Sequence, residues 1–343
     1  MLDDLKYIHQ KDAQDALGIA EKQWQQLQVN FEVKHADNSP HDHVVIAGMG
    51  GSALGAQFVR TWLEDLTIPV QIVRDYNIPN FVNKKTLFIA SSYSGNTEET
   101  LSALAQAEKK GALIAVVSSG GKLDEIAKTK HYPHVTFPSG LQPRFAFGYS
   151  VKALTTLLEA YGVTKNKTQE LEKAADFVKE VVQDWIPTVH TEKNLAKQIA
   201  LDVVGRSMVV YSGPKMSAAA YKWKISFNEN AKNVAWTNQY PEFSHNEFLG
   251  WTSHPIEQNY SIIDIRSSLE HPQIQKRFEV TEKMLSGKRP HPIIVKPKGE
   301  TLLEQQLYAV ILGDFVTLYT ALLNGLNPTP VDLIEKMKKE LAK

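Results

Sequence analysis

The 343-residue chain has no cysteine, which excludes disulfides, thiolate zinc sites and cysteine nucleophiles. It has no net charge either: lysine plus arginine and aspartate plus glutamate number 38 each. No global field therefore favours nucleic acid or an anionic membrane as a partner. Blocks of like charge are absent, since Lys336, Lys338 and Lys339 fall in an alternating-sign stretch. Nothing approaches about 18 uninterrupted apolar residues, the length a membrane span needs. The opening residues 1–12 are acidic and carry no apolar core, so a secretory signal is not expected. These absences predict a cytoplasmic protein, and the length accommodates two domains of ordinary size.

What is present is an alternation of strands and helices. Apolar spacing predicts a helix over 12–29, a strand over 43–47, a helix over 53–66, and strands over 69–73 and 86–90. A helix over 101–109, a strand over 112–118, a helix over 122–128 after the Gly120-Gly121 turn, and a strand over 134–137 follow. Helical spacing returns over 151–161 and 168–182. A second alternating run comes next, with helices over 194–204, 217–228, 271–286 and 302–323 and strands over 207–211, 260–265 and 293–295. Asn327-Pro328-Thr329-Pro330 is expected to stop the long helix, and 331–341 forms a last amphipathic one. Such spacing predicts parallel sheets covered on both faces, the same α/β plan used twice, with ligands beyond the carboxyl ends of the strands.

Two loops carry the chemistry. Ser91-Ser92-Tyr93-Ser94-Gly95-Asn96-Thr97 joins a buried strand to a helix. Hydroxyls beside a helix N-terminus, with its free N–H groups and positive dipole end, suit a small anion, phosphate above all. Asn96 with Glu99 fits an N-cap and its partner, and Gly111 closes the helix. Taken alone, the loop reads as well as a capped helix without a ligand. The other loop, Gly48-Met49-Gly50-Gly51-Ser52-Ala53, leads from strand to helix, and the following strand ends at Arg74-Asp75. That pattern meets the dinucleotide fingerprint. Ser52 and the second hydroxyl-rich loop favour a compact phosphate instead, as a dinucleotide needs no second anion-binding turn.

With both loops in view, the chain resembles the sugar isomerase (SIS) domain proteins, and within them the bifunctional phosphoglucose/phosphomannose isomerase family. Gly48-Met49-Gly50-Gly51-Ser52 and Ser92-Tyr93-Ser94-Gly95-Asn96-Thr97 are similar to its phosphate-binding loops. Pro143-Arg144-Phe145-Ala146-Phe147-Gly148-Tyr149 is similar to its arginine segment. Phe227-Asn228-Glu229-Asn230-Ala231-Lys232 and Pro241-Glu242-Phe243-Ser244-His245-Asn246-Glu247 resemble the segments carrying its acid–base residues, and these are the more specific marks. Ala53 stands where glycine is usual, Lys222 where arginine is common, and Phe243-Ser244 where Leu-Asn is usual. The resemblance implies two SIS-type domains, each a parallel sheet flanked by helices in a flavodoxin-like three-layer sandwich. The expected boundaries are a helical segment 1–35, a first SIS domain 36–163, a connector 164–195, a second SIS domain 196–326 and a C-terminal helix 327–343.

The resemblance also implies an activity: metal-independent interconversion of glucose 6-phosphate, with mannose 6-phosphate as a second aldose, and fructose 6-phosphate through a cis-enediol(ate). Glu229 would shuttle the proton between C2 and C1, which requires one carboxylate able to reach both carbons. His245 would open the sugar ring, supplied across a homodimer interface. Arg144 would stabilise the enediolate with fixed charge, and Lys338, with Lys336 as the alternative register, is the C-terminal lysine. Gly51, Ser52, Ser92, Ser94 and Thr97 would hold the phosphate, and Thr329 is a contributor to tolerance at C2. No cofactor is expected. The pairs His41/His43 and His131/His134 each lack a nearby third ligand and read as loop or sheet-edge residues rather than metal sites. The alternatives are a non-catalytic phosphosugar-binding SIS protein and a SIS enzyme acting on an amino-sugar phosphate.

Overall fold

The computed structural model describes residues 1–33, 35–36, 39–253 and 259–341. The chain forms two compact units: Lys22–Lys179, and Met1–Glu21 with Glu180–Lys343. It opens with three short helices, α1 (Leu5–Lys11), α2 (Ala16–Glu21) and α3 (Gln23–Leu27), where apolar spacing predicts one helix over 12–29. A turn at Lys22 divides the predicted helix, and Asp12 sets its start at Ala16, apart from α1. The buried Asp12 carboxylate accepts from the backbone N–H groups of Ala16 and Leu17, both at 2.8 Å, and Asp15 adopts φ 54°. A side-chain acceptor thus replaces the backbone carbonyls a continuous helix would have used. The spacing survives because Ala16, Leu17, Ala20 and Leu27 are all buried.

The N-terminal unit holds β1 (His43–Ala47), α4 (Gly50–Trp62), β2 (Val70–Val73), β3 (Thr86–Ser92), α5 (Glu98–Lys109), β4 (Leu113–Ser118), α6 (Gly121–Lys130), β5 (His134–Thr136), α7 (Phe147–Ala160) and α8 (Lys167–Val181). Its five strands are parallel in the order β2-β1-β3-β4-β5. Every residue of β3 is buried, which is why it reads as an unbroken apolar run. The order reverses between β1 and β3, so the loops leaving those strands open a crevice there. Those loops are the two glycine and hydroxyl turns. Helix α4 starts and ends earlier than the predicted 53–66, because Gly50, at φ +48°, turns straight from the loop into the helix.

The C-terminal unit repeats the plan with α9 (Leu195–Val203), β6 (Ser207–Ser212), α10 (Ser217–Ser226), β7 (Ala235–Gln239), α11 (Glu247–Gly250), β8 (Tyr260–Ile265), α12 (Pro272–Met284), β9 (Ile293–Val295), α13 (Leu302–Leu323) and α14 (Asp332–Leu341). Its parallel order is β7-β6-β8-β9. The edge strand β7 has no counterpart in the predicted elements. Its sequence Ala-Trp-Thr-Asn-Gln is largely polar, and Trp236 is 49% exposed, so the apolar signal of a buried strand is missing.

Helix α13 is apolar and long enough to cross a membrane, yet 94% of its apolar window is buried inside the protein. It is a core helix. Thr301 and Glu304 cap it reciprocally. It ends at Leu323 through Gly325, at φ +71°, with Leu326 N–H bonded to Ala321 O at 2.9 Å, before the Asn-Pro run expected to stop it. Against α13 packs α10. There Lys222, fully buried, pairs with the equally buried Asp314 and donates to Ser226 Oγ at 2.9 Å.

Candidate active site

In the N-terminal unit, two helices begin at the crevice and neither is capped by a side chain. Met49 precedes α4 and Thr97 precedes α5, and neither side chain bonds to its helix's first turn. This corrects the expectation that Asn96 caps the second helix with Glu99. The Asn96 carboxamide oxygen instead accepts from Lys122 N–H at 3.0 Å, tying the loop to the start of α6. Uncapped first-turn N–H groups remain as donors for an anion.

The hydroxyls knit the two loops together. Ser52 Oγ, on a buried residue, accepts from Tyr93 N–H at 2.9 Å and so links the first loop to the second. Ser92 Oγ, on a residue 1% exposed, and Thr97 Oγ1 lie 2.7 Å apart and share a hydrogen bond. Ser94 is exposed, and its Oγ accepts weakly from Asn96 N–H at 3.3 Å. Close approach depends on glycine at two points. A Cβ on Gly51 would lie 3.0 Å from Pro143 C and O, and one on Gly95 would lie 1.8 Å from Gly120 O. Gly95, at φ +67°, therefore rests on the Gly120–Gly121 turn. Sequence reasoning identifies that diglycine only as a turn; its role as the seat of the second loop is a tertiary contact between two loops.

The contact at Gly51 brings Arg144 to the same place. Arg144 sits in a single 3-10 turn, Pro143–Phe145, directly after the loop that follows β5. The residue is 1% exposed, with its guanidinium 4.5 Å from the Phe145 ring centroid. Burial beside an aromatic face holds a planar cation in one orientation. Tyr93 closes this corner: its hydroxyl accepts from Leu141 N–H at 2.8 Å, and burial pushes its pKa up. The structure thus gathers Gly51, Ser52, Ser92, Thr97 and the Arg144 backbone around one crevice.

In the C-terminal unit, α10 does not run on to Asn228 as an α-helix. It passes into a π-helical turn, Phe227–Ala231, which carries Glu229 and closes at Lys232 with φ 57°. Such wide turns recur at functional sites because they push one side chain out of helical register. The flanking residues are held individually. Asn228 donates to Asn233 O at 2.8 Å, and Asn230, buried, donates to Thr317 Oγ1 at 3.0 Å. Lys232 Nζ donates to Glu229 O at 2.7 Å and to Pro328 O at 3.1 Å. That lysine joins the Glu229 turn to the segment bearing Thr329, whose N–H bonds to Asn327 Oδ1 at 3.0 Å. Glu229 itself is half-buried.

The other two assigned side chains of this unit lie at the surface. His245 ends a short 3-10 turn, Glu242–His245, and is exposed. Lys338 is exposed on α14 and pairs with Glu335 at 2.8 Å. Lys336 is likewise exposed. Of the other histidines, His43 Nε2 lies 2.7 Å from Thr86 Oγ1 across the start of the sheet, and His134 Nδ1 lies 2.9 Å from Tyr132 O. No group of three or more histidine, aspartate or glutamate side chains suited to a metal occurs among the described residues.

Comparison with known proteins adds the family. Residues 39–164 match the SIS domain, and residues 192–341 match the bacterial phospho-glucose isomerase C-terminal SIS domain. The bifunctional phosphoglucose/phosphomannose isomerase of Caldicellulosiruptor bescii is 37% identical over 304 residues, 88% of this chain and 90% of that one. That of Aquifex aeolicus is 35% identical over 318 residues, 92% of this chain and 95% of that one. A crystal structure of a glucose-6-phosphate isomerase like protein from Thermus thermophilus shares the fold, with a TM-score of 0.65 at 16% identity, covering 98% of each chain. The two-sheet architecture, the paired loops and these identities together place the chain in the bifunctional phosphoglucose/phosphomannose isomerase family, a branch of the SIS isomerases.

Proposed function

We propose that this chain interconverts glucose 6-phosphate and mannose 6-phosphate with fructose 6-phosphate through a cis-enediol(ate), without a metal. The observation that carries the substrate class is the crevice between β1 and β3. Two uncapped helix starts meet there, with Ser52 bonded to Tyr93 N–H and Ser92 bonded to Thr97. It suits a compact phosphate. Gly51, Ser52, Ser92, Ser94 and Thr97 hold that group, and its binding energy positions C1 and C2 for chemistry.

Glu229 takes the proton from C2 of the open aldose and returns it to C1, and its place in a π-helical turn supports that role. Arg144 supplies fixed positive charge to the enediolate oxygen. His245, exposed on its own chain, opens the ring in the partner's site of a homodimer. Lys338 is the C-terminal lysine of the site, and Thr329 contributes to tolerance of both C2 epimers. On this reading the SIS domains are 36–163 and 196–326, joined by the 164–195 connector, and the enzyme works in the cytoplasm.

Glu229→Gln tests the reaction. Isomerisation of fructose 6-phosphate should fall by roughly 10²–10⁴-fold, the usual worth of a general base, with phosphate affinity retained. Turnover near the wild-type rate would remove Glu229 from the proton shuttle. A coupled assay in the presence of a chelator, offering glucose, mannose and glucosamine 6-phosphates, separates the substrate readings. Binding of all three without turnover would favour a phosphosugar sensor.

A further inference from the structure

We infer that Glu247 is a positioning residue for His245, clamping the segment that bears it to the second sheet; this rests on the proposed role of His245. The segment 242–250 consists of one 3-10 turn and the short helix α11. Such short helices cannot hold a fixed position by themselves. Glu247 supplies the attachment. Its Oε1 accepts a hydrogen bond from Tyr211 Oη, and its Oε2 accepts from Asn238 Nδ2 at 2.6 Å. Tyr211 and Asn238 belong to β6 and β7, and they stand directly opposite each other in the parallel register. Both carboxylate oxygens are thus pinned to a rigid pair of strands, two residues along the chain from His245.

The surroundings reinforce the clamp. Tyr211 is fully buried, and Trp251 Nε1 donates to its hydroxyl at 3.1 Å. Burial, followed by the charge of Glu247, pushes the Tyr211 pKa far up, so the phenol remains the donor to the carboxylate. The buried Arg289 guanidinium lies 5.5 Å from the Tyr211 ring centroid and packs against the same tyrosine. Before the clamp, Phe243 packs with its ring centroid 4.6 Å from that of Tyr211, fixing the chain on the other side of His245. At the near end, Asn246 bridges, taking Glu247 N–H on Oδ1 at 2.6 Å and donating from Nδ2 to Glu242 at 2.6 Å. The placement of the imidazole therefore comes through the backbone that carries it.

A double-mutant cycle tests this, because residues acting through one group give non-additive losses. In the otherwise wild-type enzyme, Glu247→Ala should lower kcat by about 10-fold or more, with KM for fructose 6-phosphate within about 2-fold. In the His245→Ala background the same substitution should change kcat by less than about 2-fold. Asn238→Ala, on a half-buried edge-strand site, removes one of the two bonds to Glu247, together with the bond Asn238 Oδ1 accepts from Gln239 N–H at 2.8 Å, and should show a smaller loss with the same dependence on His245. An equal loss from Glu247→Ala in both backgrounds would overturn the inference, as would no loss in either. Should Glu247→Ala fail to fold, the Asn238→Ala cycle decides by the same criterion. If His245→Ala alone leaves kcat unchanged, the assigned role of His245 fails, an outcome distinct from failure of the clamp.

Discussion

Single residues at the crevice act through space that only they leave open. At Gly95, a positive φ coincides with a Cβ position 1.8 Å from the Gly120 carbonyl oxygen, so no side chain fits without moving one loop off the other. Gly95→Ala should cost about 1–3 kcal/mol in strain and weaken binding of inorganic phosphate, measured by thermal unfolding and titration calorimetry. Lys222 is a different case. The resemblance places arginine there, but a lysine buried against Asp314 and Ser226 is a structural ion pair between α10 and α13. Lys222→Met alone should cost about 3–5 kcal/mol by stranding the Asp314 charge, and adding Asp314→Leu should recover most of it in denaturant unfolding.

Helices and strands are legible in the sequence where their signals are local. The unbroken apolar run of β3, the strands at 260–265 and 293–295 and the full length of α13 follow from periodicity and burial alone. Elements whose limits depend on a side-chain bond or an edge position are not. The α1–α2 break comes from Asp12, and β7 is an edge strand of mostly polar residues with an exposed tryptophan. Asp12→Ala should therefore destabilise by about 1–2 kcal/mol, the usual worth of a strong helix cap, with the loss read from chemical unfolding. A change below a few tenths would mean that Ala16 and Leu17 find other acceptors.

For the molecule as a whole, the N-terminus belongs with the C-terminal unit. Asp3 accepts from Lys197 Nζ at 3.0 Å and from Thr191 N–H and Oγ1, each at 3.0 Å. Lys197 is fully buried and also donates to Pro187 O at 2.8 Å and Val189 O at 2.7 Å. Burial would raise the Asp3 pKa, but the bonds from Lys197 and Thr191 outweigh it and lower it from 3.8 to about 2. A folded pKa below the unfolded one means the contribution is complete above pH 3.8 and disappears as pH falls through about 2. Stability should decline across that interval, and Asp3→Asn should flatten the decline in acid unfolding while lowering stability at neutral pH.

The sequence alone determined the two parallel-sheet plans and the loops at the crevice, whereas the residues proposed for chemistry rest on the resemblance to the family. Periodicity, glycine placement and motif spacing are properties of neighbouring residues, and they survive without knowing the fold. Tertiary structure decided how those residues are held. Ser52 meets a backbone N–H 41 positions away, Asn96 turns from cap to tie, and Glu229 leaves the α-helix for a π-helical turn. Glu247 finds its partners on two strands, one of them 36 positions distant. Each depends on which distant backbone group or strand lies within hydrogen-bond reach, and only the packed chain sets that distance.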